Sequence, residues 1–246
     1  MSQKKRRKEE FLKAHPICCF CGGIEPATTE DHIPSRTIFE NRAWPEGFVF
    51  PACKKCNSES SDDEIVVALL ARITERPQSE NQKKEFESKL HEFTRQLPNL
   101  RQGIKYLRRP AEKKLIQSYG MTPWNYQTGV ERKALVFPNE AFKHVDNFGR
   151  KLGKALHYYH TKSILPVTGT VTCKSHTNAD INLIPNETFE KILRIPLHND
   201  IVRSSKPLHN QFTYRYAIVP ESNQGVYAVA FGIDSLTLLI TVDPTT

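Results

Sequence analysis

The sequence predicts an α+β fold: a small cysteine-rich unit over residues 1–76, a helical connector over 77–131, and a C-terminal α+β domain with an antiparallel meander over 132–246. Three observations predict it. Two Cys-x-x-Cys pairs, Cys18/Cys21 and Cys53/Cys56, fall within one short N-terminal segment. Beyond Pro138, residues Phe142, Val145, Phe148, Leu152, Leu156 and Tyr159 recur at the spacing that lines one face of a helix. Residues 212–219 then alternate in the manner of a half-buried strand. Apolar runs at 226–231 and 236–242 follow across short, turn-rich connectors, which is the pattern of a meander.

The chain opens with an unbroken basic run, Lys4 to Lys8, leading into Phe11 and Leu12. Such a run suits either a flexible arm along a phosphate backbone or the solvated first turns of a helix. The cysteines come next. Zinc takes four soft ligands at tetrahedral corners, and two knuckles supply them when the chain doubles back. Gly22 and Gly23 suit the tight turn after the first knuckle, because glycine accepts positive φ. Cys18 fits the x-x spacing and Cys19 is the spare. The competing arrangement is a disulfide framework, which needs an oxidising compartment. No stretch resembles a secretion signal, so a structural Zn²⁺ and a cytoplasmic location are the expectation.

A zinc knuckle pair does not by itself require the Asp31-His32-Ile33-Pro34 stretch between the knuckles, nor Asn57 directly after the last Cys. The layout Cys-x-x-Cys, Asp-His, Cys-x-x-Cys-Asn resembles the HNH endonuclease family in its zinc-bearing ββα-metal (treble-clef-like) form. That form includes phage members that resolve Holliday junctions and bacterial members with similar Asp-His-x-Pro and Pro-Ala-Cys-x-x-Cys-Asn segments. The resemblance is specific over residues 15–70 and looser over the Gly149–Pro166 region. It implies phosphodiester hydrolysis, with His32 as general base and Asp31 and Asn57 holding a catalytic Mg²⁺ or Mn²⁺. The chemistry is coherent. A neutral imidazole can take a proton near pH 7, and a hard cation on oxygen ligands can stabilise the departing 3′ oxygen.

Two features strain the resemblance. The family's middle Asn is missing, since Phe48-Val49-Phe50-Pro51 stands at that place; Asn41, beyond a turn at Trp44–Gly47, is the available substitute. In addition, a regular strand through residues 30–33 sends Asp31 and His32 to opposite faces. A strand end or bulge is therefore expected there, and Pro34 is consistent with pairing that stops.

The formal net charge of +8 favours a polyanionic partner, here nucleic acid and most readily DNA. Arg36, Arg42, Lys54 and Lys55 flank the base or the second knuckle and are candidates for gripping phosphates. No apolar run approaches a membrane span. Cutting both strands of a duplex would favour a two-fold homodimer. A non-catalytic zinc module that binds nucleic acid, or an interaction subunit, would use the same unit without the chemistry.

The remaining elements are read in order. Ser61-x-x-Glu64 predicts a capping box opening a helix with Ile65, Val66, Leu69, Leu70 and Ile73 as its stripe, stopping before Pro77. Residues 79–97 read as a surface helix ending at Pro98, followed by a short helix over 100–107. Pro110, Gly120, Pro123 and Gly129 make 109–131 read as an irregular linker. The helix from 139 carries a face of Lys143, Arg150, Lys151 and Lys154, read as solvated or as touching DNA backbone. Its His144, His157 and His160 read as ordinary histidines. A strand over 167–173, a small helix over 187–193 and the meander complete the chain, with Cys173 a buried apolar residue.

Overall fold

The computed structural model describes residues 3–74, 78–127, 129–198, 201–232 and 235–245. The basic run forms α1 (Gln3–Ala14), a helix with no buried residue. The knuckle region forms β1 (Thr29–His32), β2 (Val49–Ala52) and the short α2 (Lys54–Ser58). These three compose a ββα unit, with β1 and β2 antiparallel.

Next comes α3 (Ser61–Leu70), in which every residue from Ile65 to Leu70 is buried. A helix buried all round belongs to the centre of a core rather than its edge. The predicted capping box does not form. Ser61 is the first helical residue, and Ser60 donates instead to the Glu64 carboxylate at 3.0 Å. Asp62, Asp63 and Glu64 remain in the first turn, where negative charge suits the helix dipole. The predicted stop at Pro77 lies outside the described residues. α4 (Glu80–Gln96) begins with a complete capping box between Ser79 and Gln82, and α5 (Pro98–Gly103) follows.

The stretch read as a linker contains a ten-residue helix, α6 (Arg109–Ser118), between β3 (Lys105–Tyr106) and a small hairpin of β4 (Trp124–Asn125) and β5 (Val130–Glu131). Pro110 sits in the first turn of α6, where a missing N–H breaks no helical bond. Then β6 (Leu135–Val136) pairs with β3.

α7 (Asn139–Thr161) packs on a four-stranded antiparallel sheet of order β10-β11-β12-β7. Its strands are β7 (Thr170–Thr177), β10 (Phe212–Ile218), β11 (Gly225–Phe231) and β12 (Leu236–Asp243). The meander is as expected, while β7 begins three residues later than predicted and runs to Thr177. Between them lie α8 (Asn186–Arg194) and a hairpin of β8 (Val202–Arg203) and β9 (Lys206–Pro207). Glycine lets α7 approach the sheet. A Cβ at Gly153 would stand 2.7 Å from both Ile240 Cγ2 and Val171 Cγ1, and one at Gly149 would run into the Cys173 sulfur.

One apolar core joins the ββα unit to the sheet. Phe48, next to β2, stacks on Tyr159 of α7 with ring centroids 5.1 Å apart and meets Phe212 of β10 edge-on at 5.6 Å. Phe48→Ala should therefore cost about 3–5 kcal/mol, and far-UV circular dichroism in urea should show one transition for the whole molecule. Two separated transitions would mean that the ββα unit and the sheet do not share their stability.

Candidate functional site

Cys18, Cys21, Cys53 and Cys56 converge, with their sulfurs all within 4.8 Å of one another. Tetrahedral zinc with thiolate bonds of about 2.3 Å needs sulfurs roughly 3.8 Å apart, so a small closure completes the sphere. Four close thiols of this kind can hold a metal such as zinc. The backbone prepares them. Gly22 (φ 70°) and Gly23 (φ 79°) turn the first knuckle, and the N–H groups of Phe20, Glu25 and Cys56 point at the sulfurs of Cys18, Cys21 and Cys53, each at 3.4 Å. Cys19 is buried in the core and is not one of the four. Burial raises the Cys18 and Cys56 thiols above their ordinary range, so a positive ion there would relieve a desolvated charge.

The two strands fix what lies beside this centre. Pairing runs without a bulge through Asp31↔Phe50 and His32↔Val49 and ends there. The two neighbours consequently face opposite ways. Asp31 is 5% exposed and turns inward, where its Oδ2 lies 2.6 Å from the Lys151 ammonium of α7. Lys151 also donates to the Cys56 carbonyl at 2.9 Å and to Ser60 Oγ at 2.7 Å. Glu64 belongs to the same buried group, and burial pushes its carboxyl up to about 7. Asn57 donates from Nδ2 to Thr29 Oγ1 at 2.9 Å. Thr29 and Asp31 share one face of β1, so Asn57 and Asp31 lie on the same side of the strand.

His32 lies on the other side. Its Nε2 is 2.7 Å from Arg36 Nη2. A guanidinium can only donate, so Nε2 carries the lone pair and the ring proton sits on Nδ1. The ring meets Trp44 edge-on at 5.2 Å. Trp44 in turn carries two guanidiniums, with Arg36 at 3.6 Å and Arg203 at 3.7 Å from the ring centroid. Burial, then the charges of Arg36 and Arg203, lower the His32 pKa to about 4.

Among the other expected residues, Arg42 is exposed at positive φ and its charge acts on Arg36. Lys54 and Lys55 are exposed at the start of α2, with Lys55 3.8 Å from Glu59. Asn41 is exposed, and its backbone N–H bonds Glu85 of α4. Two of the four basic residues expected to face solvent on α7 are turned inward instead: Lys151 as above, and Lys154, which donates to the Phe20 carbonyl at 2.8 Å. The α7 histidines serve packing and pairing. His144 meets Asp63 at 2.6 Å, His160 meets the Tyr214 hydroxyl at 2.9 Å, and His157 is buried.

Comparison with protein-family models, with curated proteins and with solved structures returns no match. The chemistry of the site therefore rests on its own geometry. Sequence reasoning missed Lys151, Arg203, Trp44 and Glu64. The one signal for Lys151 was a lysine within the helix stripe that meets the core, where a solvated face was assumed.

Two measurements test this geometry. Lys151→Met strands the Asp31 carboxylate in the interior and should cost about 3–5 kcal/mol in urea unfolding, part of it recovered by adding Asp31→Asn. In an NMR titration the His32 ring should stay neutral through the ordinary imidazole range and protonate near 4. Because the unfolded chain takes up that proton first, His32 supports stability above the usual imidazole pKa and loses that support as pH falls toward 4. A midpoint at or above the ordinary value would mean that the arginines do not press on the ring.

Proposed function

We propose that this chain is a nucleic-acid phosphodiesterase of the HNH type, most readily an endonuclease acting on DNA. Zn²⁺ in the four-cysteine centre would hold the ββα unit, and His32 would act as general base. The observation that carries the reading is the placement of a neutral imidazole with its Nε2 lone pair beside a cluster of arginines, on a ββα hairpin closed by four cysteines. The lowered pKa keeps the ring unprotonated at neutral pH, and pairing of Arg36 and Arg203 with phosphate oxygens would offset the charges that help hold it low, strengthening the ring as a base. Arg36 would leave Nε2 for a phosphate oxygen, exposing the lone pair to the attacking water. As the water oxygen bonds to phosphorus and the P–O3′ bond breaks, guanidinium charge would stabilise the phosphoryl oxygens and the departing 3′ oxygen, which takes its proton from solvent. The net charge of +8 supports a polyanionic substrate.

The catalytic Mg²⁺ or Mn²⁺ of that family does not fit this arrangement. Asn57 lies on the Asp31 side of β1 through its bond to Thr29, but Asp31 is buried, its carboxyl is pushed up by that burial, and the Lys151 ammonium stands 2.6 Å away. Its base would also stand on the opposite face of the strand. No step is therefore assigned to a second ion. The same ion pair favours a second reading, in which the unit is a zinc module that binds nucleic acid without cutting it.

Nicking of supercoiled plasmid by wild type and His32→Ala separates the two, with and without added Mg²⁺ or Mn²⁺. The hydrolase reading expects wild type to nick, and the variant to bind equally well while losing about 10²–10⁴-fold in rate. Equal binding with no cutting by either protein leaves the binding module.

A further inference from the structure

Arg203 comes from the far end of the chain, yet it sits on the same indole as Arg36. Both guanidinium carbons lie within 3.7 Å of the Trp44 centroid. Two such groups cannot share one face at that distance without overlapping, so they occupy opposite faces. The β8–β9 hairpin is tied in place for this. Glu46 N–H bonds the Val202 carbonyl at 2.9 Å, and Ser204 N–H bonds the Glu46 carboxylate at 2.6 Å. Ser204 (φ 49°) and Ser205 (φ 61°) form its tight turn, which sets Arg203 directly over the ring.

The charges in this cluster are poorly balanced. Among the described residues, Arg203 has no carboxylate within ion-pair distance, and the buried Arg36 Nε has no hydrogen-bond partner. Arg42 and Arg203 both press on the Arg36 charge, and among the described residues Glu30 is the one carboxylate acting against them. Glu46 is engaged by the hairpin backbone. Like charges held this close cost energy unless an anion joins them.

We propose that Arg36 and Arg203 hold two neighbouring phosphates of one nucleic-acid strand, one on each side of Trp44, with His32 at the edge of the ring between them. An indole flanked by two guanidiniums separates their charges by about the step between adjacent backbone phosphates, which a lone inorganic phosphate cannot span. Trp44 acts as the spacer that keeps the two donors apart and flat, since cation–π stacking fixes each plane. The proposal rests on the phosphodiesterase reading for the identity of the anion and extends it. Half of the phosphate grip belongs to the β8–β9 hairpin, so the C-terminal part of the chain contributes directly to substrate binding.

The test is the salt dependence of binding to a fluorescein-labelled single-stranded DNA oligonucleotide, read by anisotropy with His32→Ala as the common background so that no cutting intervenes. Arg203→Gln should weaken binding and reduce the slope of log K against log salt by about 1. Arg203→Lys should restore most of the slope, because it keeps the charge. Arg194→Gln, which removes an exposed guanidinium from α8, should leave the slope unchanged. Thermal melts establish that each variant is folded. An unchanged slope in Arg203→Gln, a loss of the same size in Arg194→Gln, or no binding by the parent at low salt would each overturn the proposal. The outcome is separable from the hydrolase reading. A slope that depends on Arg203 in a protein that never nicks DNA retains the phosphate site and removes the chemistry. A nicking enzyme indifferent to Arg203 does the reverse.

Discussion

The unbroken pairing of β1 with β2 is the constraint from which the rest of the site follows. Side chains alternate along a strand, and this ladder runs in register through Asp31 and His32 with no bulge to bring the two round to one side. Asp31 therefore enters the interior, where a bare carboxylate is expensive, and α7 meets it with Lys151. His32 emerges on the opposite face, among Trp44, Arg36 and Arg203. One side of the strand is built into the core, and the other gathers guanidiniums around an indole.

The interior side is tied to the cysteine centre. Lys151 binds the carbonyl of Cys56, and Lys154 binds that of Phe20, so α7 grips both knuckles. That same helix lies on the four-stranded sheet, close enough for Gly149 and Gly153 to be required. The ββα unit is thereby held by metal-type ligands within and by a lysine-bearing helix from outside. Buried ion pairs of this kind give little net stability over an apolar pair, but losing one partner is costly. Their effect is to specify how the two parts of the chain meet.

Much of this was legible in the sequence. The four cysteines announced themselves by spacing, the long helix by its stripe, and the meander by alternation. Strand periodicity posed the opposition of Asp31 and His32, but the bulge or strand end expected to relieve it came only as the strand's end at His32, which leaves the two on opposite faces. What could not be read has physical reasons. α6 was hidden by Pro110, which breaks a helix interior but is tolerated in a first turn. The capping box at Ser61 failed because Ser60 and Glu64 were drawn into the buried polar group around Lys151. Arg203 and Lys151 reach the site only through tertiary packing, from hairpin and helix far along the chain, and no local pattern marks them. Nothing in the layout of the cysteines, Asp31, His32 and Asn57 marks the lysine that meets the carboxylate.

Asp31 stands against Lys151, and the face of His32 gathers guanidiniums. The most direct measurement is Mn²⁺ titration of isotope-labelled, zinc-loaded protein, following paramagnetic broadening of the Asn57 side-chain amide, the Asp31 backbone amide and the His32 ring. These signals should stay as sharp as those of distant residues at millimolar Mn²⁺, on the order of 1 mM, if the lysine keeps the site. Selective broadening of Asp31 and Asn57 together, with the Lys151 ammonium released, would instead show a divalent ion seated where the lysine now lies.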